Sequence, residues 1–137
     1  MAVTIRRVEY YYIIVEDRPG EGARIFAALK NANVNLVAFT AFPVGVGKTQ
    51  LDFFPEDATA FRQTLGDAVA DLVGPKRAFL VQGPDRAGAV VELHHQLGQV
   101  GINAYAANGV GDGRGSFGYV LWVKPEDYER AATALGA

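Results

Sequence analysis

The sequence predicts an α+β protein of two ferredoxin-like units, each with the order βαββαβ and with helices on one face of an antiparallel sheet. Two observations predict this fold. A turn at residues 17–20 joins a strand-like run to a helix-like run, and a similar turn recurs at residues 85–88. The elements after each turn also follow in the same order. We therefore expect a duplicated chain, with a first unit at residues 1–74 and a second at residues 75–137.

The repeat itself can be aligned by shifting the chain by 68 residues, which places Asp17 on Asp85. Further along the best shift is 70 residues, which places Pro55 on Pro125. We expect the two additional residues in the glycine-rich segments between these blocks, because loops absorb changes of length at little cost.

The elements of the first copy follow from residue patterns. Residues 3–15 are dense in Tyr, Ile and Val, which favour strands. The helix that starts near Pro19 has one apolar stripe, and Asn33 is expected to end it in the left-handed conformation. Residues 36–44 and 49–54 are predicted strands of a hairpin, and an apolar stripe after Pro55 predicts a second helix. Residues 69–73 fit either a closing strand or an additional helix.

The second copy repeats this order. The same patterns predict strands at 78–81, 104–110 and 117–123, with helices at 89–100 and 126–135. No residues remain after the last helix for a closing strand. We therefore hypothesise that the N-terminal residues 3–8 occupy the missing edge position of this second sheet.

Composition excludes several classes of function. The chain has 137 residues, half of them hydrophobic and a fifth charged, as in ordinary globular proteins. A net charge of −2 without a basic run argues against nucleic-acid binding. The absence of cysteine removes disulfides and thiolate metal sites. No apolar run approaches the roughly 20 residues of a membrane span, and no secretory signal is evident, so we expect a cytoplasmic protein.

Two local patterns are more simply explained by structure. Gly47-Lys48-Thr49 is similar to the end of a phosphate-binding loop, but Phe42 stands where its first glycine belongs and a strand follows. His94 and His95 are neighbours on a helix and point about 100° apart, so they are poorly placed to share a metal. His94 aligns with Phe26 on the apolar stripe and is expected to be packed in the core. We predict no metal site and no cofactor.

The turns and the residues that follow each first helix resemble those of the ACT-domain family, in tandem. ACT domains typically show an acidic residue and Pro-Gly before the first helix, and Gly-Val-Asn at the start of the second strand. The matching residues are Asp17, Arg18, Pro19, Gly20, Asn33, Val34 and Asn35 in the first copy, and Asp85, Arg86, Ala87, Gly88, Gly101, Ile102 and Asn103 in the second. The resemblance covers nearly the whole chain, but Asn33 replaces the usual glycine and Ala87 the usual proline.

The resemblance implies a regulatory module that binds an amino acid, usually at an interface between paired domains. It implies a stand-alone protein that senses a ligand or acts on a separate enzyme. We also expect a homodimer, because a two-layer fold leaves one face of its sheet to cover. The fourteen matching residues are then the predicted ligand site, near the interface of the two units.

The residues themselves suit this chemistry. The free amides at a helix start attract a carboxylate. Asp17 or Asp85 can accept hydrogen bonds from an ammonium group, and Arg18 or Arg86 can bind a further acid group through two hydrogen bonds. The turns also fit a purely structural role as helix caps, since Asp and Pro are common before helices.

Two other functions remain open at this stage. The chain fits a structural or adaptor protein whose open sheet edges bind a partner enzyme or a second copy without a small ligand. An enzyme on the same scaffold is the third alternative, although no arrangement of nucleophile, base and acid is visible. We therefore expect a protein that is not an enzyme.

Overall fold

A computed structural model describes residues 3–66 and 69–137 of the chain. Contacts divide the chain into two compact units. The first unit is Glu9–Lys76, and the second unit is Met1–Val8 together with Arg77–Ala137. The division at residues 74 and 75 assigned residues 1–8 to the first unit, whereas the structure groups them with the second. The physical reason is that Val3 and Ile5 pack against the core of the second unit.

The secondary structure follows the repeated order that the sequence predicts. Along the chain the elements are β1 (Thr4–Glu16), α1 (Glu21–Asn31), β2 (Leu36–Pro43), β3 (Lys48–Pro55), α2 (Ala58–Leu65), β4 (Val73–Pro84), α3 (Val91–Gln99), β5 (Ala104–Gly111), β6 (Ser116–Val123), a 3-10 turn (Pro125–Asp127) and α4 (Tyr128–Leu135).

The sheet of the first unit is antiparallel in its first three strands. Strand β3 pairs with β2 on one side and with β1 on the other, where Tyr11 lies opposite Phe53. The next neighbour of β1 is β4, whose first residues belong to this unit. Gly74 in that segment lies so close to Tyr11 that an added Cβ would be 2.7 Å from the ring. The closing strand is therefore the start of β4 from Val73 onward, whereas residues 69–72 of the segment that the sequence left undecided are neither strand nor helix.

The second unit is built in the same way. Strand β6 pairs antiparallel with β5 and with β4, where Phe79 lies opposite Leu121. The start of β1 lies beside β4, and Thr4 Oγ1 donates a hydrogen bond of 3.2 Å to the carbonyl of Gln82. The N-terminal segment thus occupies the edge position of the second sheet. Each of the two long strands contributes one part to each unit.

Each unit has its own apolar core between helices and sheet. In the first unit Tyr11 stacks on Phe61 with ring centroids 5.2 Å apart. In the second unit Phe79 takes the equivalent place and stacks on Tyr128 at 4.5 Å. These two cores, with the helices on one face of each sheet, are the predicted arrangement of two ferredoxin-like units, and the fold class is confirmed.

The position of the two extra residues was predicted wrongly. The strand pairs keep the 68-residue shift through β3 and β6, because Tyr11 and Phe53 correspond to Phe79 and Leu121. The glycine-rich hairpin loops have equal lengths in both units. The difference lies after β6, where the 3-10 turn Pro125–Asp127 precedes α4. A helical turn at the start of a helix absorbs the insertion, and the end of β3 corresponds to the end of β6 rather than to Pro125.

Candidate functional site

The turn after β1 is fixed by the hairpin of its own unit. The amide of Asp17 donates a hydrogen bond of 2.9 Å to the carbonyl of Gly47. In the second unit the amide of Asp85 donates to the carbonyl of Gly115 at the same distance. The two strand–helix corners are therefore held by equivalent backbone contacts, which the 68-residue repeat predicts.

The first corner opens into α1 through a left-handed glycine. Gly20 is the N-cap residue with φ 92°, and no side chain caps the helix, so neither Asp17 nor Arg18 acts as a cap. A side chain at this backbone conformation would be strained, which favours glycine here. The amides of Gly22 and Ala23 have no acceptor among the described residues. The helix start therefore presents free donors, as expected for an anion site.

The second corner differs in its helix start. Gly88 is also left-handed, with φ 74°, but α3 begins only at Val91. Two tight turns precede it, with hydrogen bonds from Ala89 to Arg86 and from Val91 to Gly88. Ala87 here replaces Pro19, which lies before the N-cap Gly20 and outside α1. The amides of Glu92 and Leu93 have no acceptor among the described residues, and they lie two residues beyond the equivalents of Gly22 and Ala23.

The charges of the two corners also differ. In the first corner Arg18 Nε donates to Glu21 Oε1 at 2.7 Å, and Arg24 contacts the other oxygen at 3.3 Å. The hydrogen bonds from Arg18 and then Arg24 hold the pKa of the Glu21 carboxyl below its usual range. In the second corner alanine replaces this glutamate, and Arg86 has no ion pair within the described residues. Arg86 is therefore the arginine that remains available to a ligand.

The segment after each first helix adopts the predicted left-handed ending. Asn33 has φ 58°, and Gly101 in the second unit has φ 73°. The amide of Val34 then donates to the carbonyl of Leu29 at 2.9 Å. The bond from Ile102 to the carbonyl of Leu97 is equivalent. These residues terminate the helices, which gives Asn33 and Gly101 a structural role.

The asparagines that follow are exposed, and the two copies differ. Asn35 Nδ2 donates to Glu56 Oε2 at 3.2 Å, so this side chain is already engaged. The side chain of Asn103 makes no hydrogen bond among the described residues. Glu56 was not predicted as part of the site; it directly follows β3 and lies beside Asn35 because β2 and β3 are paired as far as Leu36 and Pro55.

Within a unit the predicted residues form two separate groups. The corner at residues 17–20 lies at the start of α1 and residues 33–35 lie past its end. The 11 residues of α1 separate them by roughly 16 Å. A depression of about 350 Å³ lies at the far end, and none of residues 17–20 lines it. It is lined by Phe26, Leu29, Lys30, Asn33, Val34, Asn35 and Leu36.

One residue of the second unit departs from the expected packing. His94 is exposed rather than packed in the core, and its Nε2 lies 2.7 Å from the hydroxyl of Tyr119. Burial raises the pKa of the Tyr119 hydroxyl. In the first unit Phe26 takes the place of His94, and the ring centroids of Phe26 and Phe39 lie 4.7 Å apart. The partners are not equivalent, because Tyr119 corresponds to Leu51 under the 68-residue shift and Ala107 stands where the first unit has Phe39.

Two further observations concern the described part of the chain. Residues 3–66 and 69–137 contain no helix with the length and apolar content needed to cross a membrane. Within the same ranges, no group of three His, Cys, Asp or Glu side chains is placed to hold a metal ion.

Comparison with known proteins gives the class of fold. No family model matches the sequence, and no curated protein matches it. A protein of Bacteroides thetaiotaomicron, BT0572, matches with a TM-score of 0.78 at 15% identity, over 96% of this chain and 88% of that one. The likeness shows that the duplicated ferredoxin-like arrangement occurs in a solved structure.

The regulatory subunit of aspartate kinase from Thermus thermophilus, in its ligand-free form, matches with a TM-score of 0.65 at 15% identity. That match covers 99% of this chain and 95% of the subunit. A structure of aspartokinase alpha and beta subunits matches with a TM-score of 0.63 at 15% identity, over 98% of this chain and 95% of that one. In its fold the chain is similar to these subunits, with two ferredoxin-like units in tandem, which is the arrangement that its resemblance to the ACT-domain family predicts. At this identity the comparisons speak for the fold alone.

Proposed function

We propose that the chain is a non-enzymatic regulatory protein that binds an amino acid or a similar small molecule at its strand–helix corners. The observation that carries the proposal is the repeated corner, in which a tethered aspartate precedes a helix start with free amide donors. A carboxylate suits those donors, and the exposed carboxylate of Asp17 or Asp85 suits an ammonium group. Full-length likeness to a regulatory subunit of aspartate kinase supports the same conclusion.

The second corner is the better candidate for a ligand with an additional acid group. Arg86 lacks the neighbouring glutamate that engages Arg18 in the first corner. A guanidinium without a partner can bind a second carboxylate through two hydrogen bonds. We therefore propose that the two corners differ in ligand preference, with acidic amino acids favoured at the second.

The experiment is a thermal-shift screen of the proteinogenic amino acids with the whole chain. A ligand at one hundred times its Kd stabilises the protein by about 2.7 kcal/mol. Asp17→Ala and Asp85→Ala, made separately, should each weaken binding without lowering the melting temperature of the free protein. A flat response to every amino acid, or unchanged binding by both variants, would contradict this assignment.

The edge strand of the second unit favours an alternative function as an adaptor. Among the strands of the described residues β5 pairs with β6 alone, and its residues 104–111 carry no charge and no proline. Val110 on this strand is 72% exposed. Uncharged open edges invite pairing with another chain. We propose a homodimer or a partner enzyme as the occupant, and Val110→Lys with analytical ultracentrifugation as the test. Association that is unaffected by this charge would count against the edge as the interface.

A further inference from the structure

The sheet of the second unit carries a depression on the face opposite its helices. Val81 and Tyr119 point toward the core of this unit, so Gln82 and Gly118 lie on the other face. Gln82, Gly118 and Val110 occupy neighbouring positions on β4, β6 and β5. The depression has a volume of about 540 Å³, within the range of small-molecule sites. Its lining includes Thr4, Gln82, Val110, Asp112, Ser116 and Gly118.

The equivalent place in the first unit is filled by side chains. There the cross-strand row consists of Ile14, Gln50 and Phe42, in the same register. Gln50 occupies the position of Gly118, and its Nε2 donates to Asp52 Oδ1 at 2.9 Å. The duplication thus supplies an internal comparison. The first copy fills this part of the sheet with side chains, while the second copy has a glycine, Gly118, at the centre of the row.

The ion pair beside this row in the first unit has no counterpart among the described residues of the second unit. In the first unit Lys48 donates to Glu16, directly across the two strands. The corresponding residues in the second unit are Ser116 and Pro84, which form no ion pair. The hydroxyl of Ser116 and the side-chain amide of Gln82 have no hydrogen-bond partner among the described residues. These polar groups are therefore free to meet a ligand.

A negative charge lies at the hairpin end of the depression. Asp112 Oδ1 accepts hydrogen bonds from the amides of Arg114 at 2.6 Å and Ser116 at 3.1 Å. Its second oxygen has no partner within the described residues. The Asp85 carboxylate lies nearby, since Oδ2 is 2.9 Å from where a Cβ on Gly111 would stand. Arg114 is not among the residues that line the depression. The carboxylate charge at the hairpin end of the depression therefore favours a cationic group in the ligand.

We propose that this depression binds a small primary amine that also carries an amide or hydroxyl group. The ammonium group binds Asp112 Oδ2, and the second polar group meets Gln82 and Ser116. Gly118 supplies the space for the ligand, because a Cβ there would have no neighbour within 4 Å. The depression adjoins the second strand–helix corner through Pro84 and Gly115, but the proposed contacts use none of the free amides of that corner.

The test is an NMR titration of the uniformly ¹⁵N-labelled whole chain with glycinamide and with ethanolamine. Acetamide, which lacks the ammonium group, and acetate, which has the opposite charge, are the matched control compounds. Both amines should cause saturable shifts of the amides of Gly115, Ser116 and Gly118. Neither control compound should reproduce them at equal concentration.

Two variants assign the binding. Gly118→Gln restores the side chain of the first unit and should abolish the shifts while the melting temperature is retained. Asp112→Asn keeps an oxygen that can accept the two turn amides but removes the charge, and should weaken amine binding roughly tenfold. Asp17→Ala reports on the corner of the first unit, none of whose residues lines this depression, so loss of ligand binding at that corner leaves this result interpretable. Absence of saturable shifts, equal binding of acetamide, or full binding by Gly118→Gln would overturn the proposal.

Discussion

The buried hydroxyl of Tyr11 allows a prediction that can be worked from the structure. Tyr11 is 2% exposed in the first core, and its hydroxyl has no hydrogen-bond partner within the described residues. An unsatisfied buried polar group costs about 1–3 kcal/mol. Tyr11→Phe keeps the ring stacked on Phe61 and removes only the hydroxyl. The free energy of unfolding should therefore rise by about 1 kcal/mol or more, with a melting temperature higher by roughly 3 °C or more.

The second unit supplies the reciprocal control. Phe79 occupies the equivalent position, is fully buried, and stacks on Tyr128. Phe79→Tyr adds a hydroxyl to this packed core and should lower the free energy of unfolding by a similar amount. Urea unfolding followed by circular dichroism and calorimetry would measure both variants. If Tyr11→Phe instead lost stability, the hydroxyl would have a partner, such as an ordered water, and the reasoning would be refuted.

The remaining predictions concern the edges of the two units. Deleting residues 1–8 removes Val3 and Ile5 from the second core and should cost roughly 2–4 kcal/mol, visible as faster hydrogen exchange in residues 77–137 but not in residues 9–66. Burial raises the pKa of the Asp52 carboxyl. The stability that this group contributes is thus present below the ordinary pKa of 3.8 and is lost as pH rises through the folded pKa. Asp52→Asn should therefore be more stable than wild type at pH 7. Its free energy of unfolding, measured by urea titration, should also vary less with pH across that window. Asn33→Gly, at φ 58°, should be neutral or stabilising by less than about 1 kcal/mol in the same assay, and a clear loss would indicate a role for this side chain beyond the helix end.

Much of the fold was predictable because its signals are local. The apolar stripe of α1 and the hairpin glycines act over a few residues, and the same signals recur in the second copy. The division of β1 and β4 between two units was harder to predict. Residues 4–16 form one unbroken strand-like run, and nothing in the run marks Val8 as the end of one unit's share. Only the missing closing strand of the second copy pointed to this arrangement.

The candidate site was less predictable, because its contacts depend on side-chain rotamers and on which residues meet in the folded unit. The left-handed Asn33 was predicted from local helix-end chemistry, whereas the left-handed Gly20 was not predicted, although glycine is the residue that such a backbone conformation favours. The engagement of Arg18 by Glu21 depends on which rotamers meet across one helical turn, which spacing alone does not decide. The contact of Glu56 with Asn35 follows from the exact register of the β2–β3 hairpin, which the predicted strand bounds did not specify. The separation of the two residue groups by the length of α1 became clear only when both ends were placed.

The contribution of the N-terminal segment to the second unit has a consequence for biosynthesis. Thr4 meets Gln82 across 78 positions of the chain, so the ribosome makes this strand long before its neighbour exists. Closing so distant a contact is entropically costly and slow compared with local pairing. Until β4 has been synthesised, the N-terminal part of β1 has no partner strand, and a chaperone or a neighbouring nascent chain can bind it.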